Sequence, residues 1–382
     1  MAVRDVVAVA CSAGGLAPLR SLVGGLPEDL PASVLVVRHL ARDSKLLLPV
    51  ILNRDGVLPV DFATDGEPVR AGRVRIAPPD QHLTVHDGSI RLAGTPKINR
   101  VRPSADALFR SLARWYGPRV VAVVLSGMLD DGAAGAAAVA ARGGAVVVQN
   151  PADADFASMP REALAAVPGA LSVPTAELAV TVLDLLGRPG TEPGEPARDL
   201  VWETDLTGAA ASGPSGVPGR PAGVSCPDCH GAMNRIETSG DVHYRCHVGH
   251  AYSPASLVAD QEQAGESALW QAVALLEEQA VVHHEMALRA ARAERRAEER
   301  AHAQAALDAR RAAAAVKALI PGSVSGLASG PASGPVSEAT FEAAFDPTAE
   351  AASEPASEPA RASSESELAS GPRTDGARPE PE

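Results

Sequence analysis

The sequence predicts an α/β fold, a doubly wound and mostly parallel sheet with a small antiparallel hairpin, followed by a small zinc-ribbon-like module and a helical segment. Three observations carry this expectation. Residues 1–188 alternate short continuous apolar runs with helical patterns, the order that builds βαβ units. The runs lack polar alternation, which fits strands buried on both faces. Three of the four cysteines, Cys226, Cys229 and Cys246, fall within one short stretch that also holds several histidines.

The elements follow in order. Residues 6–11 (VVAVAC) and 33–37 (SVLVV) read as strands, with a helix over 16–23 between them. Residues 74–77, 83–85 and 89–92 read as short strands around a hairpin turned at Asp87-Gly88. Residues 103–115 read as a helix opened by Pro103. Residues 120–125 are a third buried run, 133–141 an Ala-rich helix closed by Gly143-Gly144, and 145–148 a fourth run. A last helix covers 175–186. Residues 189–222 are rich in Gly, Pro, Ala and Ser and read as a flexible linker. Residues 223–254 hold the Cys/His cluster, and 255–320 form the helical segment. Residues 266–320 contain no Gly or Pro and are dominated by Ala, Glu, Arg and Leu, a helix composition. Residues 321–382, rich in Ser, Pro, Glu and Ala, read as a disordered acidic tail in which Phe341 and Phe345 are the only aromatics.

Charge narrows the function classes. The chain has 382 residues and a net charge of −13. Residues 1–188 carry 19 basic and 18 acidic side chains, whereas 321–382 carry 3 and 11. A neutral body with acidic appendages argues against a nucleic-acid surface. No apolar run is long enough to span a membrane, and the N-terminus lacks the basic region of a signal peptide. A cytoplasmic, reducing location is expected, where four cysteines do not build a disulfide scaffold.

Three polar residues stand just past three apolar runs: Ser12, His39 and Asp131. In an open parallel sheet, ligands bind beyond the carboxyl ends of the strands. If the three strands are neighbours, a serine, a histidine and an acid converge there, the parts of a nucleophile–base–orienter triad. Ser12 is followed by Ala13-Gly14-Gly15 and a helix, so the turn approaches a ligand closely and offers N–H donors to an oxyanion. The chain order Ser, His, Asp differs from the Ser, acid, His order of α/β-hydrolases. Singly, each motif also reads as an ordinary strand–helix turn, a loop histidine or a helix N-cap.

Six motifs, in order, resemble the catalytic domain of the chemotaxis protein-glutamate methylesterase, CheB. They are Ala10-Cys11-Ser12-Ala13-Gly14-Gly15, Val36-Val37-Arg38-His39-Leu40, Ala77-Pro78-Pro79-Asp80-Gln81-His82-Leu83, Arg102-Pro103-Ser104-Ala105-Asp106-Ala107-Leu108-Phe109, Leu125-Ser126-Gly127-Met128-Leu129-Asp130-Asp131-Gly132-Ala133, and Met159-Pro160-Arg161-Glu162-Ala163. The resemblance covers residues 4–186. It implies Ser12 as nucleophile, His39 as general base and acid, Asp131 as orienter, and Ala13, Gly14 and Met128 at the substrate. Where the family has Thr after the nucleophile, this chain has Ala13, and Leu129-Asp130 stand where Gly-Asn is common. Asp130 is thus a second acid beside Asp131. Ser12 lies too close to the start for a receiver domain ahead of it, so gating by phosphorylation in cis is not expected. The implied activity is hydrolysis of glutamate methyl esters with release of methanol. The implied partner is a methylated chemoreceptor or a similar helical signalling protein. Rival readings are a non-catalytic signalling scaffold of the same fold and an esterase with another substrate. Neither a nucleic-acid partner nor a catalytic cofactor is expected.

Cys226-x2-Cys229-x16-Cys246-x3-His250 has the spacing of a small closed zinc site. The span has few apolar residues, so the metal would supply its folding energy and play a structural part. His247 is an alternative fourth ligand, with His230 and His243 behind it. His283 and His284 read as solvent-facing. Joined through 189–222, the module is expected to fold independently of the esterase domain.

Overall fold

A computed structural model describes residues 3–40, 46–190, 194–207, 218–238 and 241–320. The acidic tail at 321–382, with Phe341 and Phe345, lies outside them. Strands β1 (Val6–Cys11), β2 (Ser33–Arg38), β3 (Val60–Phe62), β4 (Arg73–Ile76), β7 (Val120–Val124), β8 (Ala145–Gln149) and β9 (Leu171–Val173) form one sheet in the order β3-β4-β2-β1-β7-β8-β9. Every pairing in it is parallel. Strands β5 (His82–His86) and β6 (Ser89–Ala93) form the antiparallel hairpin.

The apolar runs behave as their composition requires. On β1, Val6, Ala8 and Ala10 face helices α3 (Ala105–Trp115), α4 (Ala133–Ala141) and α5 (Ser158–Ala166). Val7, Val9 and Cys11 face α1 (Leu16–Gly24), α2 (Leu48–Asp55) and α6 (Leu178–Leu186). All six β1 side chains are buried, and truncating a large core neighbour such as Leu112 to Ala costs about 2–5 kcal/mol. Chain order reverses beside β1: β2 follows on one side and β7 on the other, which opens a crevice at the carboxyl ends there.

Beyond this sheet, β10 (Arg220–Ser225), β11 (Ala232–Thr238), β12 (Asp241–Cys246) and β13 (Ala251–Tyr252) form a four-stranded antiparallel sheet. Helices α8 (Pro254–Arg292) and α9 (Arg296–Lys317) follow as a hairpin. The turn between them has Glu294 at φ 57°. His283 and His284 are half-buried, and His283 stacks on His302 of α9, ring centroids 5.4 Å apart.

The range read as a flexible linker is corrected where it is described. Residues Arg198–Thr207 form helix α7, and β10 begins at Arg220. The helix docks because Leu200 is buried in the core and Glu203 finds cationic partners on both sides. Glu203 accepts from Arg245 (2.7 Å) and pairs with His243 (2.6 Å), both on β12, and with Arg110 on α3 (3.7 Å). Burial opposes the charge on Glu203, yet Arg245, His243 and Arg110 hold its carboxyl below the usual range. The module therefore packs on the α/β domain through a buried ion cluster, and the expectation of an independent unit gives way.

Candidate functional site

Parallel register sets the site. Cys11 pairs with Arg38 and Ala10 with Val124, so β1, β2 and β7 end level. Ser12 and His39 are the next residues on two of these strands, and the loop after β7 carries Ser126–Asp131. The Ser12 N–H donates to the Ser126 carbonyl (2.9 Å), and the His39 N–H to the Cys11 carbonyl (3.1 Å), which pins the three strand ends together.

Glycines keep the turns tight. Gly14 has φ 68°, and a Cβ there would lie 2.6 Å from Asp155 Cβ and 2.7 Å from Ser126 Oγ. A Cβ on Gly127 would lie 2.0 Å from Met159 Sδ and 2.9 Å from Ser12 Cβ. The Ala13 and Gly14 N–H groups have no hydrogen-bond partner among the described residues. Met128 and Phe156 give the rim two exposed apolar side chains.

Asp131 is the most heavily hydrogen-bonded group of the site. Its Oδ2 lies 2.8 Å from His39 Nε2 and accepts from the Ala105 N–H (2.6 Å). Its Oδ1 accepts from Ser104 Oγ (2.7 Å), Asn99 Nδ2 (3.2 Å) and the Asp106 N–H (3.3 Å). The carboxylate thus occupies the N-terminus of α3, where free N–H groups and the helix dipole favour an anion. Burial works against its charge, but His39, Ser104 and Ala105 outweigh it, and the carboxyl lies below its ordinary range. Asp130, the other acid, does not reach His39. It faces Ser253, and burial together with Asp131 and Glu162 raises its pKa.

The sequence reading passed over four supports of Asp131: Asn99, Ser104, Asp106 and His82. Asp106 accepts from the Gly132 and Gly135 N–H groups (3.0 and 2.6 Å) and from Asn99 Nδ2 (2.8 Å), holding the start of α4 beside Asp131. Burial pushes Asp106 up to about 7, with Arg110 opposing and Asp131 assisting. His82 accepts from the Ser104 N–H at Nδ1 (3.1 Å) and meets the Pro96 carbonyl at Nε2 (3.1 Å), so it is held neutral. Burial lowers its pKa to about 4. Ser104, Asp106 and His82 all lie inside quoted motifs; Asn99 lies outside them and carried no signal of its own.

The family model for the CheB methylesterase matches residues 7–182. Residues 7–182 are a CheB methylesterase family domain. The protein-glutamate methylesterase/protein-glutamine glutaminase 2 of Anaeromyxobacter dehalogenans is 40% identical over 160 residues, covering 42% of this chain and 47% of that protein. Its namesake from Methanosarcina mazei is 37% identical over 168 residues, 42% of this chain and 46% of that protein. Enzyme 4 of Myxococcus xanthus is 41% identical over 156 residues, 41% of this chain and 44% of that protein. The chain spans about half the length of the curated relatives it matches. A crystal structure of the Thermotoga maritima CheB methylesterase catalytic domain is 30% identical and covers 48% of this chain and 100% of that one, with a TM-score of 0.46. The site described lies within the matched residues, and the second sheet lies outside them.

That second sheet carries a ligand cluster. The donor atoms of Cys226, Cys229, Cys246 and His250 lie within 4.8 Å of one another. Cys229 and Cys246 sulfurs are 3.5 Å apart, and His250 Nδ1 lies 3.7 and 3.6 Å from Cys226 and Cys246. Tetrahedral zinc requires ligand separations of about 3.5–3.8 Å, given bonds of about 2.3 Å to sulfur and 2.0 Å to nitrogen. His250 Nε2 faces Asp228 (3.8 Å), whose carboxylate also accepts from Tyr252 Oη (2.8 Å). A carboxylate behind a ligating imidazole orients the ring. Burial pushes the Cys226 thiol up to about 12, so its thiolate forms when a metal displaces the proton. His230, His243 and His247 stand outside the four; His243 is engaged by Glu203. These residues fit a closed metal site. No described helix is long and apolar enough to cross a membrane.

Proposed function

We propose that this chain is a serine esterase that hydrolyses glutamate methyl esters on a methylated chemoreceptor or a similar helical signalling protein. The observation that carries the reading is the His39–Asp131 pair (2.8 Å) at the level strand ends beside Ser12. The names of its relatives support the substrate class.

In this mechanism Asp131 takes the Nε2–H of His39, which leaves Nδ1 as the base. Ser12 Oγ attacks the ester carbonyl carbon and passes its proton to His39 Nδ1. The Ala13 and Gly14 N–H groups receive the developing oxyanion. Collapse breaks the bond to methoxide, which leaves as methanol with the proton from His39. Water, deprotonated by His39, then attacks the acyl carbon, and Ser12 departs with that proton, leaving glutamic acid, which releases its remaining proton to solvent as the carboxylate. The same acyl-enzyme forms from a glutamine side chain with loss of ammonia, the second activity in the relatives' names. Met128 and Phe156 offer an apolar rim to a substrate helix.

The domain division belongs to this proposal: an esterase domain over 1–188, a zinc-ribbon-like module over 223–254 whose ion is structural, and a helical segment over 255–320. Zinc would lock the two knuckles of the module and contact no reacting group. A cytoplasmic location completes the reading.

The test is methanol release from methylated receptor helices. Wild type should release methanol, and Ser12→Ala should lose about 10⁴-fold or more. A serine-directed phosphonate should label Ser12, and His39→Ala should abolish labelling. Unchanged turnover in Ser12→Ala, or labelling at another serine, defeats the esterase reading.

A further inference from the structure

The turn at 97–100 belongs to the CheB domain in sequence, yet the second module clamps it. Asn99 and Arg100 have φ of 50° and 71°, and Ile98 and Val101 exchange backbone hydrogen bonds around them (3.2 and 3.1 Å). A two-residue turn with both φ positive suits Asn at its first corner. The Asn99 N–H donates to the Ala251 carbonyl (2.8 Å), and the Ala251 N–H to the Lys97 carbonyl (3.2 Å). Lys97 pairs with Asp228 (3.4 Å), and Arg100 pairs with Asp260 and donates to Gln263 on α8.

The Asn99 side chain, 6% exposed, joins the two units. Its Oδ1 accepts from the Ser253 N–H (2.9 Å) and from Ser256 Oγ (3.3 Å). Its Nδ2 donates to Asp106 Oδ2 (2.8 Å) and Asp131 Oδ1 (3.2 Å). A carboxamide is planar, with acceptor and donor on opposite arms. Fixing Oδ1 on the module therefore aims both N–H bonds at the two carboxylates, which the amide also separates. The path from the ligand cluster is short. His250 precedes Ala251, its carbonyl accepts from the Cys246 N–H (3.0 Å), and Asp228 sits between Cys226 and Cys229.

Resting on the proposed triad and metal site, we infer that the C-terminal module is a positioning element of the esterase, acting through Asn99: metal at the four ligands sets His250–Ser253, this strand end orients the carboxamide, and the carboxamide holds Asp131 against His39. Asn99 is a positioning residue, since it touches no reacting atom.

The experiment uses the full chain and a small soluble ester, so receptor docking does not enter. Asn99→Asp keeps the shape and the acceptor toward Ser253 and Ser256 but removes both donors. It should retain zinc and lose about 100-fold in kcat, the scale of a displaced catalytic group, with KM within about twofold. Chelating zinc from wild type should lower kcat similarly, restored by zinc alone, and should raise amide exchange over residues 97–106. Chelation of Asn99→Asp should add nothing further. If that variant loses its metal, the cycle is read on Ser256→Ala, which spares the bond from the Ser256 N–H to Ser253 Oγ; its smaller loss should likewise vanish in the metal-free protein. An unchanged wild-type kcat without zinc, or losses that multiply, overturns the inference. A wild type without any esterase activity sinks the triad reading instead. The exchange measurement still decides the coupling, and protection at 97–106 that ignores zinc overturns it alone.

Discussion

His39 Nε2 meets Asp131 Oδ2 at 2.8 Å, while Asp130, one residue away, turns toward Ser253. Adjacent residues of one loop thus point to different units, and they should respond differently to the same change. Asp131→Asn removes the anion that fixes the imidazole tautomer and should lower kcat by about 10⁴-fold. Asp130→Asn should stay within about tenfold. The measurement is steady-state hydrolysis of a small ester by both variants; equal losses would refute the division of roles.

Two buried groups beneath Asp131 titrate in one window with opposite sign. His82 has its pKa lowered to about 4 from an ordinary 6.5, so the fold prefers it neutral. Its contribution is present above about pH 6.5 and is lost as pH falls toward 4, about 3 kcal/mol in all. Asp106 is raised to about 7 from 3.8, so its contribution is present at low pH and is lost as pH rises from 4 through 7. The two partly offset in wild type. Urea denaturation from pH 4 to 7 should therefore show a shallow slope in wild type. In His82→Gln, stability should fall as pH rises, because only the Asp106 titration remains. A slope in His82→Gln equal to wild type would count against this account.

Glu203 should hold the module to the α/β domain. Its removal strands the Arg245 guanidinium in a buried setting, and breaking a buried ion pair at one partner costs about 3–5 kcal/mol. Glu203→Ala should raise amide exchange over 220–252 and lower the denaturation midpoint, with Glu203→Gln milder. An unchanged midpoint in Glu203→Ala would show that the cluster contributes nothing net.

One zinc per chain should copurify with the protein. Cys226→Ser should lose it, because soft thiolates carry the preference for zinc. Elemental analysis of wild type and variant checks this. A wild type free of metal would overturn the zinc assignment and leave three reduced cysteines beside His250.

The sheet was legible because burial on both faces demands continuous apolar runs: VVAVAC, SVLVV and VVAVV need no alignment to be read as strands. Short edge elements were not. β3 and β9 have three residues each, too few to show a period, and α2 carries its apolar side chains without a clear cap. Helix α7 was hidden inside Gly- and Pro-rich flanks. The α8–α9 break was invisible because it uses Glu294 rather than a glycine or proline.

By itself the sequence determined the order of the buried strands and of the main helices between them, the positions of Ser12, His39 and Asp131 just past three strands, and the spacing of the four metal ligands. All of these are local or periodic properties, written by neighbours in the chain. Tertiary structure alone decided that β1 lies between β2 and β7, so that the three residues share one edge. It also decided which acid faces His39 and that Asn99 touches Ser253 across 154 positions. Such contacts join residues that share no pattern, because they depend on how buried polar groups find partners once the chain has closed. That is why a module expected to hang on a linker instead reaches the aspartate of the site.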